Sequence, residues 1–176
     1  MQYTIQCIEP ALKDSKIRGS CDKLYGMIRQ FQLQDAPSCC MIIHACIEGD
    51  ASLSLVLRRK VCALETSQSM IERSRLYYVA VYEAEGRIAG IAGLDMNEIQ
   101  LLCVLPEFQR SGIGRALLDH VKAMVPGLMF KNAFVYASIQ AAGFYRACGF
   151  EDKGPFVFNV EGEAFHTAFM VCPIIG

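Results

Sequence analysis

Two glycines stand in the run Gln109-Arg110-Ser111-Gly112-Ile113-Gly114-Arg115. Ahead of them, residues 99–105 are nearly all apolar and Pro106 follows. Proline has no N–H for a sheet ladder, so the pattern predicts a strand that ends there. A strand apolar at almost every position is covered on both faces. Behind the glycines, Ile113, Ala116, Leu117, Val121 and Met124 recur at helical spacing, and Pro126-Gly127 ends the run. The first N–H groups of a helix lack helical partners, and the helix dipole adds positive potential. Without Cβ atoms at Gly112 and Gly114, a diphosphate can reach the backbone, with Arg110 and Arg115 flanking it. The chemistry this string could do is pyrophosphate binding; the bland alternative is a tight turn. A P-loop ends in Gly-Lys-Ser/Thr, and this chain has Gly114-Arg115-Ala116. A dinucleotide fingerprint needs a small residue where Leu117 stands.

Two further side chains could move protons. Tyr145 lies in Ala141-Ala142-Gly143-Phe144-Tyr145, and a phenol, with a pKa of about 10, is a modest acid. It could equally be packing, held by Phe144 and Phe150. Glu98 precedes the apolar strand and could be a base, a solvated strand end, or a charge that attracts a cationic substrate. Asp95 and Glu107 are weaker candidates for the same work. His44, His120 and His166 are isolated in the sequence and receive no catalytic role. Cys103 has no His or Asp pattern around it and reads as strand packing.

The elements that must position these residues follow from periodicity. Residues 3–8 alternate as a first strand, and residues 12–33 read as helical, with Gly19 and Gly26 as weak points. Short helices are expected over 39–47, 53–64 and from Thr66 to about Arg75. Strands return over 77–82 and 87–94 around the Glu83–Gly86 turn, then at Glu98. A strand over 134–138, a helix over 141–148 capped by Gly149, and a hairpin of 156–160 with 165–171 complete the chain.

The string from Gln109 to Gly114, with its strand, Pro106-Glu107 and helix, resembles the acetyl-CoA signature of the GNAT acyltransferases, Gln/Arg-x-x-Gly-x-Gly/Ala. The run from Ala137 to Phe150 resembles that family's second motif, matching at Ala137, Ser138, Ala141, Phe144, Tyr145, Gly149 and Phe150. Tyr136 departs from it, standing where many bacterial members have asparagine. The likeness is strongest over residues 76–170 and points to the bacterial, small-acceptor type. It implies a single acetyltransferase domain over 1–176 with a GNAT fold: an α/β (α+β) chain, its central mixed, mostly antiparallel sheet flanked by helices, with a helical N-terminal segment. It implies acetyl-CoA as cosubstrate and no metal. The strand would carry a bulge and pair with the pantetheine arm along Leu102, Cys103 and Val104. The pyrophosphate would lie on Gln109, Arg110, Ser111, Gly112, Ile113, Gly114 and Arg115, with Ser138 also binding the cofactor. Tyr145 would support the departing thiolate and Glu98 would assist the amine. The rival is an inactive member that binds or senses acyl-CoA.

Composition limits the partners. The chain has 176 residues, of which 53% are hydrophobic, and a net charge of −1. Neither nucleic acid nor a membrane surface is expected as partner. The acceptor is expected to be a small amine, with a protein terminus as the alternative, and a homodimer is compatible with the sequence. No stretch looks like a signal peptide or a membrane span, so a cytoplasmic protein is expected. Nine cysteines, an odd number with no Cys-x-x-Cys pair, are expected to be free thiols.

Overall fold

The structure, a computed structural model, describes residues 5–7 and 26–174. Strand β1 is Ile5–Cys7 and β2 is Gly26–Gln30. Three helices follow: α1 (Ala36–Gly49), α2 (Leu55–Leu64) and α3 (Ser67–Leu76). Their starts are written locally. Pro37 lies in the first turn of α1, where its missing N–H costs nothing. Ser54 Oγ accepts from Leu57 N at 3.1 Å to cap α2, and Thr66 and Ser69 exchange side-chain bonds across the first turn of α3.

A meander of β3 (Tyr78–Ala84), β4 (Arg87–Asp95) and β5 (Glu98–Val104) comes next. Then come α4 (Ile113–Ala123), β6 (Asn132–Ser138), α5 (Ala142–Ala147), β7 (Glu151–Val160) and β8 (Glu163–Pro173). Seven strands form one mixed, mostly antiparallel sheet in the order β2-β3-β4-β5-β6-β8-β7, and β1 pairs with β5. Each face carries its own core. Helices α4 and α5 pack Leu117, Leu118, Val121 and Tyr145 onto Ala92, Leu102, Val104 and Val135. On the other face, α1–α3 pack Ile42, Ile43, Leu57 and Met70 onto Val79, Val81, Ile91 and Leu101. The apolar run of β5 is therefore buried from both sides, as its lack of alternation implies.

The helix expected over residues 12–33 does not hold at its C-terminal end. Residues 12–25 lie outside the described residues, and Gly26–Gln30 is an edge strand, antiparallel to β3. Met27, Ile28 and Phe31 mimic helical spacing, but pairing with β3 fixes the backbone instead. The hairpin strands also extend beyond the residues expected, to Glu151 in β7 and Pro173 in β8. Seven cysteines, Cys39, Cys40, Cys46, Cys62, Cys103, Cys148 and Cys172, are free thiols. No helix among the described residues is long and apolar enough to cross a membrane.

Arg29 of β2 ties this edge to α1. Its guanidinium grips Asp35 with two bonds, 2.7 and 3.0 Å, and reaches Glu83 of β3 at 3.0 Å. Asp35, 5% exposed, also accepts from Gln32 N. The Arg29 hydrogen bond, chiefly, holds the Asp35 carboxyl below the usual carboxylate range, against the opposing effect of burial. A depressed folded pKa contributes stability that is present above the unfolded value, about 4, and lost as pH falls through the folded one. Asp35→Asn should therefore cost about 3 kcal/mol at neutral pH, the loss expected when one partner of a largely buried pair is removed. Denaturant titration should show the gap from wild type closing below about pH 4. A gap that persists undiminished at pH 2 would mean that the carboxylate charge is not its source.

Candidate active site

Strand β5 has two edges, and β4 takes one of them along its whole length, from Gly90–Val104 to Asp95–Glu98. On β4, Gly93 pairs with Leu101 and its neighbour Leu94 with Ile99, so Gln100 is an extra residue, a bulge. The bulge expected in this strand is there. Gly93, opposite, admits the Tyr77 ring; a Cβ on it would lie 2.8 Å from that ring. The other edge of β5 meets β6 at one pair only, Glu98–Phe134. Phe134 N donates to Asn97 O at 2.9 Å, closing that end. Beyond it the two strands part. Into the opening runs β1, parallel to β5, with Ile5 opposite Leu101, Gln6 opposite Leu102 and Cys7 opposite Cys103. Two of the three residues assigned to the pantetheine arm, Leu102 and Cys103, thus already have a backbone neighbour on that edge. Their side chains serve the two cores, with Leu102 and Val104 toward α4 and Cys103 toward α1.

After β5, a one-turn 3-10 helix (Pro106–Phe108) leads to the glycine turn. Gln109 Nε2 donates back to Val104 O at 3.0 Å, and Ser111 Oγ donates to Phe108 O. These two side chains therefore shape the turn from within. Arg110 adopts φ 60°, an uncommon choice for a residue with a side chain, and is exposed. Gly112 caps α4 at φ 92°, with nothing within 4 Å of where a Cβ would stand. The first helical bond in α4 is Ala116 N to Gly112 O, so the N–H groups of Ile113, Gly114 and Arg115 precede the ladder. Ile113 anchors the turn in the core. The Arg115 guanidinium donates to Ala147 O at 2.7 Å, which ties the start of α4 to the end of α5.

Tyr145 sits on α5 with its side chain fully buried, edge-on to Phe144 and Phe150. It shares a core cluster with Leu102, Val104 and Ile113, so the two sequence motifs meet in one place. Ser138 ends β6 and accepts from Ala141 N at 3.3 Å, capping the turn into α5. Glu98, half-exposed, opens β5 on the α1 side of the sheet, across from Phe134. Burial, and after it the Glu98 carboxylate, push the Tyr136 phenol up from its usual range. Burial raises the Tyr77 phenol too, with Glu65, Asp95 and Glu98 adding to it and Arg73 opposing.

Two of the histidines, His44 and His120, are not isolated as the sequence implies. His44 Nε2 donates to Glu65 O at 2.7 Å, and His120 Nε2 lies 3.0 Å from the Tyr78 hydroxyl. Cys40 donates to the same Glu65 carbonyl at 3.1 Å, and burial pushes its thiol up, which disfavours a thiolate nucleophile. Tyr77 is absent from the sequence reading of the site, and Tyr136 enters it only as the departure from the family's asparagine. Alternation was the signal for the second, since Phe134 and Tyr136 share a face of β6.

A family model described as an acetyltransferase (GNAT) domain matches residues 54–166. The chain belongs to the GNAT acetyltransferase family. This GNAT chain is 28% identical over 130 residues to an uncharacterized N-acetyltransferase of Chlorobaculum tepidum, spanning 71% of this chain and 75% of that one. Its fold matches a GCN5-related N-acetyltransferase from Rhodopseudomonas palustris with a TM-score of 0.78 at 21% identity, over 84% of this chain and 94% of the other. It also matches the PaiA N-acetyltransferase of Thermoplasma acidophilum, solved in complex with coenzyme A, with a TM-score of 0.67 at 16% identity. That match covers 85% of this chain and 99% of the other.

In the GNAT turn, Gly112 is required by its backbone rather than by crowding. Gly112→Ala should lower stability by about 1–2 kcal/mol, the cost of a Cβ in the left-handed region. Thermal melting would show this, and an unchanged midpoint would mean that the turn accommodates a side chain.

Proposed function

We propose that the chain is an N-acetyltransferase that moves an acetyl group from acetyl-CoA to a primary amine. The observation that carries this reading is the edge of β5 that β6 leaves beyond Glu98–Phe134, which β1 occupies over Leu101–Cys103 and which leads straight into the glycine turn at the N-terminus of α4. A pantetheine arm offers amide groups that an open strand edge can pair, and a pyrophosphate suits the amides of Ile113, Gly114 and Arg115. The absence of side-chain atoms above Gly112 leaves room for it. Arg115 can keep its bond to Ala147 or turn to the phosphate.

The reaction asks little of the protein beyond placement and two proton movements. The amine nitrogen attacks the thioester carbonyl carbon, a tetrahedral intermediate forms, and the C–S bond breaks with the electron pair on sulfur. Glu98, directly or through water, takes the proton that the nitrogen sheds. The Tyr145 hydroxyl supplies a proton or a hydrogen bond to the departing thiolate, and solvent restores both groups. A closed, apolar surrounding strengthens the second contact, and Tyr145 has one.

Acetyl-CoA mixed with a panel of amines should release CoA and give the acetylated amine by mass. Binding of CoA without release with any amine would make the chain an acyl-CoA-binding module instead. Tyr145→Phe keeps the ring and its packing, so melting and acetyl-CoA binding should persist. Its turnover should fall about tenfold to a thousandfold. Full activity in a stable variant would leave thiolate protonation to water.

Pantetheine and β1 require the same edge of β5, so binding must draw β1 away. Deleting residues 1–7 should tighten acetyl-CoA binding by the reciprocal of the fraction of molecules in which β1 is already withdrawn. Calorimetry on the two forms measures it. Equal affinities would mean that the arm does not use that edge.

A further inference from the structure

The sheet half formed by β6, β8 and β7 carries a continuous aromatic surface on the α1 side. Phe134 and Tyr136 project there from β6, Phe169 from β8, and Phe156 and Phe158 from β7. Cross-strand register puts them together, since Tyr136 pairs with Phe169, and Phe156 with Thr167. The Tyr136 ring lies 4.7 Å from Phe156, 5.2 Å from Phe158 and 5.2 Å from Phe169. Phe134 closes the row at 5.9 Å from Tyr136. These rings are not a finished core. Phe156 is 41% exposed, and Tyr136, Phe158 and Phe169 are half-buried.

The surface has a charged end. Phe134 is the β6 partner of Glu98, so the row of rings begins beside the one carboxylate proposed to receive the amine. It begins at the point where β5 and β6 part, which is where the proposed reaction takes place. The far end is fenced by α2, whose Lys60 donates to Glu161 O at 2.7 Å in the hairpin turn and pairs with Glu163. A surface with an anionic group at one end and several ring faces along it complements a molecule with a cation and a flat apolar body. The cation meets the carboxylate and the electron-rich ring faces, and the apolar body covers the rings.

We propose that this aromatic face is the wall of the acceptor site, and that the acceptor is a primary amine carried a few atoms from an aromatic or flat apolar group. The proposal rests on the acetyltransferase reading and narrows its substrate class. Tyr136, Phe156 and Phe158 determine specificity in it; Glu98 orients the amino group. Tyr136 stands in the position where the family resemblance implies asparagine, so this chain has exchanged a polar contact for a ring at that point.

The test uses the full chain with acetyl-CoA and three probes of similar size: 2-phenylethylamine, butane-1,4-diamine and glycinamide. The aromatic amine should give a kcat/KM at least tenfold above the other two. Phe156→Ala removes an exposed ring, so the protein should fold. It should raise KM for 2-phenylethylamine about tenfold while leaving KM for acetyl-CoA unchanged, as loss of uniform binding does. Tyr136→Asn gives a second reading at the departing position and should reduce the preference for the aromatic probe. Preference for the diamine or glycinamide, with KM indifferent to both variants, would overturn the aromatic site and leave the acetyltransferase reading standing. A dimer that Phe156→Ala dissociates without any change in amine KM would assign the face to self-association and overturn it too. Absence of acetyl-CoA binding would overturn both readings, and calorimetry with acetyl-CoA alone distinguishes that failure from the others.

Discussion

Every backbone amide in a strand bonds to one side or the other, and β5 has committed only one of its sides in full. Beta-4 takes that side without a gap, apart from the bulge at Gln100. The other side touches β6 once, at Glu98–Phe134. Unpaired amides in a buried strand are costly, so something must answer them. In this structure β1 answers them, lying parallel along Leu101–Cys103. A ligand with its own amides can answer them equally well. The need to satisfy that edge links the core of the protein to its proposed cosubstrate.

The rest of the fold holds this half-open edge in place. Leu102 and Val104 lock one face of β5 under α4, and Leu101 and Cys103 lock the other under α1. With both faces buried, β5 cannot rotate to hide the opening. The Arg115 bond to Ala147 joins α4 to α5, so the helices that border the glycine turn and the Tyr145 segment are held together. The Arg29–Asp35 pair fixes the start of α1 against the sheet edge. These contacts are remote from the site, yet they set its shape.

Much of this was legible in the sequence because it is written in local chemistry. Pro106, Gly112 and the periodicity after Ile113 specify a strand, a turn and a helix without any knowledge of the remainder. The caps at Ser54 and Thr66 are equally local. What escaped depends on partners far away in the chain. Gly26–Gln30 carries apolar residues that fit two periods, and only its pairing with β3 chooses the strand. The place of β1 beside β5 has no local signature at all. Tyr77 comes from the C-terminal cap of α3 and Tyr136 from β6, so their place relative to Glu98 depends on long-range packing. Gln109 and Ser111 read as ligands from their motif, yet in the structure their side chains brace the turn.

The seam between β5 and β6 also has a mechanical meaning. Strands joined by a ladder resist being slid apart because all their bonds load together. Glu98 and Phe134 supply one rung, so the ladder itself adds little to the seam's resistance to shear. Force applied across the sheet must instead pass along the chain through α4, and sideways through the packing of Leu117, Val121 and Tyr145. The two halves of the sheet are thus held together by the cores they share on both faces rather than by a ladder of their own.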